Sequence, residues 1–170
     1  MSFFNRTINV ETLDEGENLR LKGTLRDERL DEPLHWIDAE MVISVWEGEI
    51  LEISGHMERR PLEECLEGLE SLEELLGVRI RPGFTDFVKQ TVGSNRGCSH
   101  LAALIMTMAN VSVQGRGAYI RKHFEDEEIR MYAMADSAQQ LGILDSCVCW
   151  REDGPLVRHW RASHQRPDDA

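Results

Sequence analysis

Ile37-Asp-Ala-Glu-Met-Val-Ile-Ser-Val45 decides the fold class of this chain. Ile37, Ala39, Met41, Ile43 and Val45 alternate with Trp36, Asp38, Glu40, Val42 and Ser44, so an extended strand has one apolar and one mostly polar side. Glu47-Gly-Glu49 then turns the chain into Ile50-Leu-Glu-Ile-Ser-Gly-His56. A three-residue connection sets Val45 against Leu51 and Ile43 against Ile53, burying one shared face. A β-hairpin is the reading.

Upstream, Arg6 to Val10 and Leu19 to Leu25 alternate more weakly around Asp14-Glu-Gly16, which fits two strands and a turn. Asp31 to His35 reads as a turn-like entry to the central strand. From Pro61 the period changes. Leu62, Cys65, Leu66, Leu69, Leu72, Leu75 and Leu76 follow the three-four spacing of an amphipathic helix, with Pro61 at its start and Gly77 at its stop. Val78 to Pro82 is an extended link and Phe84 to Val92 a short helix. After the loop Gly93 to Gly97, a helix runs from Cys98 to about Asn110, with Leu101, Leu104, Ile105, Met108 and Val111 on its apolar face.

Gly115 to Asp136 is charged and ambiguous, with a further helix around Glu125 to Gln140. The tail has β-like composition: Ile143 to Trp150, a turn at Asp153-Gly-Pro155, then Leu156 to Trp160. The fold class expected is α+β: an antiparallel sheet of N-terminal strands and a central hairpin, packed against two or three helices, with a C-terminal hairpin. One domain spans 1–170, with Gln165 to Ala170 frayed.

Bulk properties narrow the function. Apolar residues make up 41% and charged residues 29% of the 170, a globular balance. The net charge is −12, and each arginine-rich stretch, such as Arg20 to Arg29, is interleaved with acids, so with no basic patch to neutralise phosphates no nucleic-acid partner and no anionic membrane surface is expected. No apolar run approaches the roughly 20 residues of a membrane span, and the first residues lack the order of a secretory signal. The four cysteines are then read in a reducing compartment, the cytoplasm, as thiols, metal ligands or nucleophiles.

Gly97-Cys-Ser-His-Leu101 is the sharpest chemical feature. A cysteine in the first turn of a helix meets the positive end of the dipole and unpaired amides, which favour a thiolate able to bind metal or attack an electrophile. His100 falls about 200° further round if both residues are helical, so only a loop conformation at Cys98 brings them together. The plainer alternative makes Cys98 a small buried hydrophobe and His100 a cap or surface residue. Cys65 on its helix face reads as core. His35 and Asp38 flank the start of the central strand, with Asp38 on its polar side. Cys147 and Cys149 share one strand face without the two-residue spacing of a zinc knuckle. His56, His123, His159 and His164 read as surface. No phosphate loop, dinucleotide fingerprint or nucleophile elbow occurs, so no nucleotide cofactor is expected.

Glu32-Pro-Leu-His35, the aliphatic hairpin, Pro61 to Cys65, Leu76-Gly77, Gly83, Gly97-Cys-Ser-His-Leu101, Leu144-Asp-Ser-Cys147 and Asp153-Gly-Pro155 resemble, in order, a bacterial family catalogued as domain of unknown function 2889. Its members often carry a histidine after the cysteine of the Leu-Asp-Ser-Cys block, where this chain has Val148. The resemblance implies that His35, Cys65, Cys98, His100 and Cys147 belong together. The order strand, hairpin, cysteine, helix, cysteine-headed helix is also similar to iron–sulfur scaffold proteins of the IscU/NifU type. That similarity implies His35, Cys65 and Cys98 as successive ligands and Asp38 as the auxiliary aspartate. Histidine in place of the first cysteine and Gly97 in place of a histidine turn this towards a mononuclear site.

The expected function is a metal-dependent enzyme, of hydrolase or lyase type, on a small organic substrate. Zinc or iron would be held by His35, Cys65, Cys98 and Cys147, with Asp38 or His100 moving the proton. A variant uses Cys98 as nucleophile and His100 as base without metal. The alternatives are a non-catalytic metal or iron–sulfur delivery protein, or an interaction module whose cysteines are core. Trp46, exposed at the hairpin tip, marks a contact surface, and a second copy of the chain is among the expected partners.

Overall fold

A computed structural model describes residues 1–164, with the backbone alone for Ser163 and His164. The frayed end expected from Gln165 and the surface position expected of the His164 side chain lie outside the described residues. The chain divides into two compact units, Met1–Arg116 and Gly117–Ala170. The protein is α+β.

The first unit is built on an antiparallel meander of four strands: β1 (Phe4–Glu15), β2 (Asn18–Arg29), β3 (Glu32–Ser44) and β4 (Ile50–Arg59). Leu30 and Asp31 both adopt positive φ, +54° and +64°, and close the β2–β3 hairpin in two residues. Glu32 to His35 are therefore strand and not the turn-like entry that Pro33 suggests. Alternation holds along β2 and β3: Leu19, Leu21, Leu25, Ile37, Ala39, Met41 and Ile43 are buried on one face.

The β3–β4 register differs from the parity argument. Ile43 pairs with Ile50 and Met41 with Ile53, because the turn closes already at Ser44, whose N–H bonds Glu49 O, and a bulge at Val42/Ile43 then shifts the ladder by one residue. Val42 and Ile43 are both buried, and Leu51 turns outward.

The segment after Pro61 is helical over Glu63–Leu75, but as a 3-10 helix. Leu66, Leu69, Leu72 and Leu75 recur every third residue, the repeat that a 3-10 helix stacks into one row. Leu72 and Leu75 are buried, whereas Leu62 and Leu76 stay exposed. Then follow α1 (Phe84–Gln90) and α2 (Ser99–His123), the latter well beyond Asn110. Leu101, Leu104, Ile105 and Met108 are fully buried, and Leu104 and Met108 lie over Gly23 of β2. Helix α2 thus covers the apolar face of the sheet, starting at the Asp27 end and passing Thr12 of β1 at Gly115.

The second unit contains α3 (Glu127–Gln140) and α4 (Pro155–His164). Asp126 caps α3 by accepting the Ile129 N–H at 2.9 Å. The expected C-terminal hairpin is absent from the described residues. Ile143 to Trp150 is a run of turns closed by Trp150 N–H to Cys147 O, and Leu156 to Trp160 is helical. Pro155 at the first helical position, where no N–H is needed, starts α4 and overrides the β propensity of Val157 and Trp160. Among the described residues no helix is long and apolar enough to cross a membrane.

Candidate functional site

Three strands place three polar residues side by side on the otherwise apolar face. Arg6 of β1 lies opposite Asp27 of β2, and Asp27 lies opposite His35 of β3. The register alone makes this row. Asp27 is fully buried and accepts two hydrogen bonds from Arg6, Nε to Oδ1 and Nη2 to Oδ2, each 2.7 Å. His35 Nδ1–H donates to Asp27 Oδ2 at 3.1 Å. Burial opposes ionisation of Asp27, but the bonds and charge of Arg6, and then His35, overcome it and hold its pKa below the ordinary value.

The start of α2 closes over this row. Cys98 donates its backbone N–H to Val92 O at 2.7 Å, and its carbonyl accepts the Ala102 N–H, so Cys98 caps the helix and is not part of its first turn. That placement removes the 200° separation. The Cys98 Sγ lies 3.7 Å from His100 Nδ1, and His100 Nε2 lies 3.9 Å from Asp27 Oδ2. The His100 ring stacks on His35 with centroids 3.9 Å apart and planes at 29°. Burial, then the neighbouring His35 and Arg6, lower the His100 pKa, with Asp27 opposing them. His100 is therefore neutral at pH 7 and can accept a proton. The Arg6 pKa is raised, first by the hydrogen bonding with Asp27 and then, against burial, by the Asp27 charge.

Gly97 fixes the approach. A Cβ there would fall 2.1 Å from the Val92 carbonyl oxygen, a backbone atom that cannot move aside alone. Gly68 of the 3-10 helix makes room in the same way, since its Cβ would sit 3.2 Å from that of Cys98. Gly97→Ala is expected to lower unfolding stability by about 3 kcal/mol through overpacking and to displace the Cys98 thiol. A denaturant titration showing no change in midpoint would contradict this account of the loop.

The structure therefore brings together His35, Cys98 and His100 among the residues singled out by sequence. Cys65 lies on the 3-10 helix, partly buried, in the same three-residue row as Gly68. Cys147 and Cys149 are exposed in the second unit. Asp38 lies on the opposite face of β3 from His35, three residues away, and pairs with Arg26 at 2.6 Å. It is not in position to move a proton for His35 or Cys98. The cluster includes two residues not singled out, Arg6 and Asp27. Asp27 carried a signal, an acid at the inward position after Leu19, Leu21 and Leu25.

An α+β fold whose antiparallel meander carries a buried carboxylate, two imidazoles and the thiol of a helix-capping residue defines the class of molecule. The chain belongs to the family described as protein of unknown function (DUF2889), whose model matches residues 4–114. The match includes Arg6, Asp27, His35, Cys65, Cys98 and His100, while the Leu144-Asp-Ser-Cys147 block lies beyond it. No curated protein and no solved structure matches the chain.

Proposed function

We propose that the protein is a cysteine-dependent enzyme that hydrolyses or transfers the acyl group of a small organic substrate, with Cys98 as nucleophile and His100 as base. One observation supports this above all: the thiol is 3.7 Å from one nitrogen of His100, whose other nitrogen faces the buried Asp27 carboxylate. His100 takes the thiol proton and becomes an imidazolium between two anions, which Asp27 favours. The thiolate sulfur attacks the carbonyl carbon, the bond to the leaving group breaks, and His100 returns its proton to that group. Water, deprotonated by His100, then releases the acid and restores the thiol. The first amides of α2, which have no helical carbonyl to bond, are the donors that would hold the oxyanion. Arg6 and His35 position Asp27.

Incubation with a panel of activated esters and acyl thioesters, quenched and mapped by mass spectrometry, is expected to place an acyl adduct on Cys98. A panel that acylates only Cys147 or Cys149 would remove the nucleophile from this site. The low pKa of His100 gives a second expectation. Acylation of Cys98 requires neutral His100, so its rate falls with acid only below the ordinary histidine value near 6.5. His100→Gln removes that limb and slows acylation by about a hundredfold or more. A limb unchanged in the variant belongs to another group.

A metal centre is the second reading, favoured by one ligand atom each of Asp27, His35 and His100 lying within 4.8 Å of one another. Zinc or iron there would use His35 as expected from sequence, with Cys98 alongside. Two features weigh against it. Zn–N bonds of about 2 Å at tetrahedral angles hold two imidazole centroids about 5 Å apart, against 3.9 Å here. Arg6 also engages both carboxylate oxygens. Elemental analysis of protein purified without chelator decides between them: about one zinc or iron per chain, lost in His35→Ala, would establish the metal reading.

A further inference from the structure

Arg116 of α2 is 1% exposed, and among the described residues Nε, Nη1 and Nη2 have no hydrogen-bond partner. A guanidinium excluded from water needs acceptors, and an unpaired buried charge is among the least favourable arrangements in a folded protein. Burial lowers the Arg116 pKa to about 10, with Glu47 opposing the shift, so the group remains a cation at neutral pH.

The side chain rests against the loop between β3 and β4. A Cβ on Gly48 would lie 2.0 Å from Nη2, so the glycine at φ +65° admits the fork where no other residue could. Several of the loop's own polar groups are engaged elsewhere: Gly48 N–H with Ser44 O, Gly48 O with the Ile80 N–H, and Ser44 Oγ with the Glu49 N–H. Ser112, one turn earlier on α2, donates its hydroxyl to Ala109 O. Glu47 acts on Arg116 only through space.

We propose that Arg116 and the Gly48 turn form an oxyanion-binding site for a ligand bearing a carboxylate or phosphate group. The planar fork offers two parallel N–H donors to such a group, and the ligand supplies the acceptors that the protein withholds. At about 1.5 Å per residue, Arg116 lies roughly 25 Å along α2 from Cys98. The site is thus separate from the thiol centre and stands independently of its chemistry.

Thermal unfolding of the whole chain in sodium phosphate, sodium acetate and sodium chloride of matched ionic strength tests this. Saturating phosphate or acetate is expected to raise the unfolding midpoint by about 3–6 °C over chloride, and the more effective anion identifies the group. Arg116→Met, which removes the unpaired charge at similar volume, is expected to melt no lower than the wild type in chloride and to lose the anion response. Because any variant can misfold, the Arg116 Nε–H resonance of the wild type gives a second readout, expected to shift saturably with the anion. Equal responses in Arg116→Met, or an Nε–H signal that does not move, overturn the proposal. So does a large stability loss in Glu47→Gln without an anion response in the wild type, because Glu47 would then be the counter-ion.

Discussion

Cys98→Ala is expected to abolish acyl turnover, lowering kcat/KM by about a thousandfold or more on whichever ester or thioester proves best. The loss falls on chemistry and not on folding, for local reasons. Alanine retains the Cβ that packs beside Gly68, and the two bonds that fix the residue use backbone atoms, Cys98 N–H to Val92 O and Ala102 N–H to Cys98 O. What disappears is the sulfur 3.7 Å from His100 Nδ1. The measurement is the rate of the variant beside its thermal melt. A melt within a degree or two of wild type, with a rate reduced less than tenfold, would exclude covalent chemistry at this thiol. The polar row would then be structural or a metal site.

Much of the frame that presents this thiol is legible in the sequence, and the failures have identifiable causes. The alternation from Ile37 to Val45 places the sheet, and the Leu101, Leu104, Ile105, Met108 spacing places the helix that covers it. Both patterns are local. The bulge at Val42/Ile43 is not, since it depends on how the hairpin loop docks against the Val78–Ile80 link, where Ile50 N–H meets Val78 O. The tail misleads because Val, Ile and Trp favour strands only where a sheet is available to receive them.

The site divides in the same way. His35, Cys98 and His100 stand out by residue type and position. Arg6 and Asp27 do not, because each is one of many charged residues in an acidic chain. Only the register of β1 against β2 and of β2 against β3 makes them neighbours of the histidine. Alternation could have excluded Asp38, which is an odd number of residues from His35 on one strand.

Asp27 is where site and fold share one interaction, and its replacement carries the other large expected effect. Asp27→Asn leaves Arg6 without its bidentate partner and His35 without a charged acceptor, and is expected to cost about 3 kcal/mol. The pH dependence identifies the carboxylate as the cause. Because the folded pKa is held below the ordinary value of 3.8, the stabilisation is complete above that value. It is lost as pH falls from about 4 through the folded pKa. Wild-type stability should therefore decline with acid in that window, and the Asp27→Asn profile should be flatter there. Arg6→Met combined with Asp27→Leu removes both charges together and is expected to recover most of the loss, since the row adjoins an aliphatic core. Urea titrations of the two variants and the wild type at pH 7 and pH 3 measure all of these. A deficit below 1 kcal/mol for Asp27→Asn, or an acid slope that survives in it, would show that the carboxylate is not what holds the histidines in place.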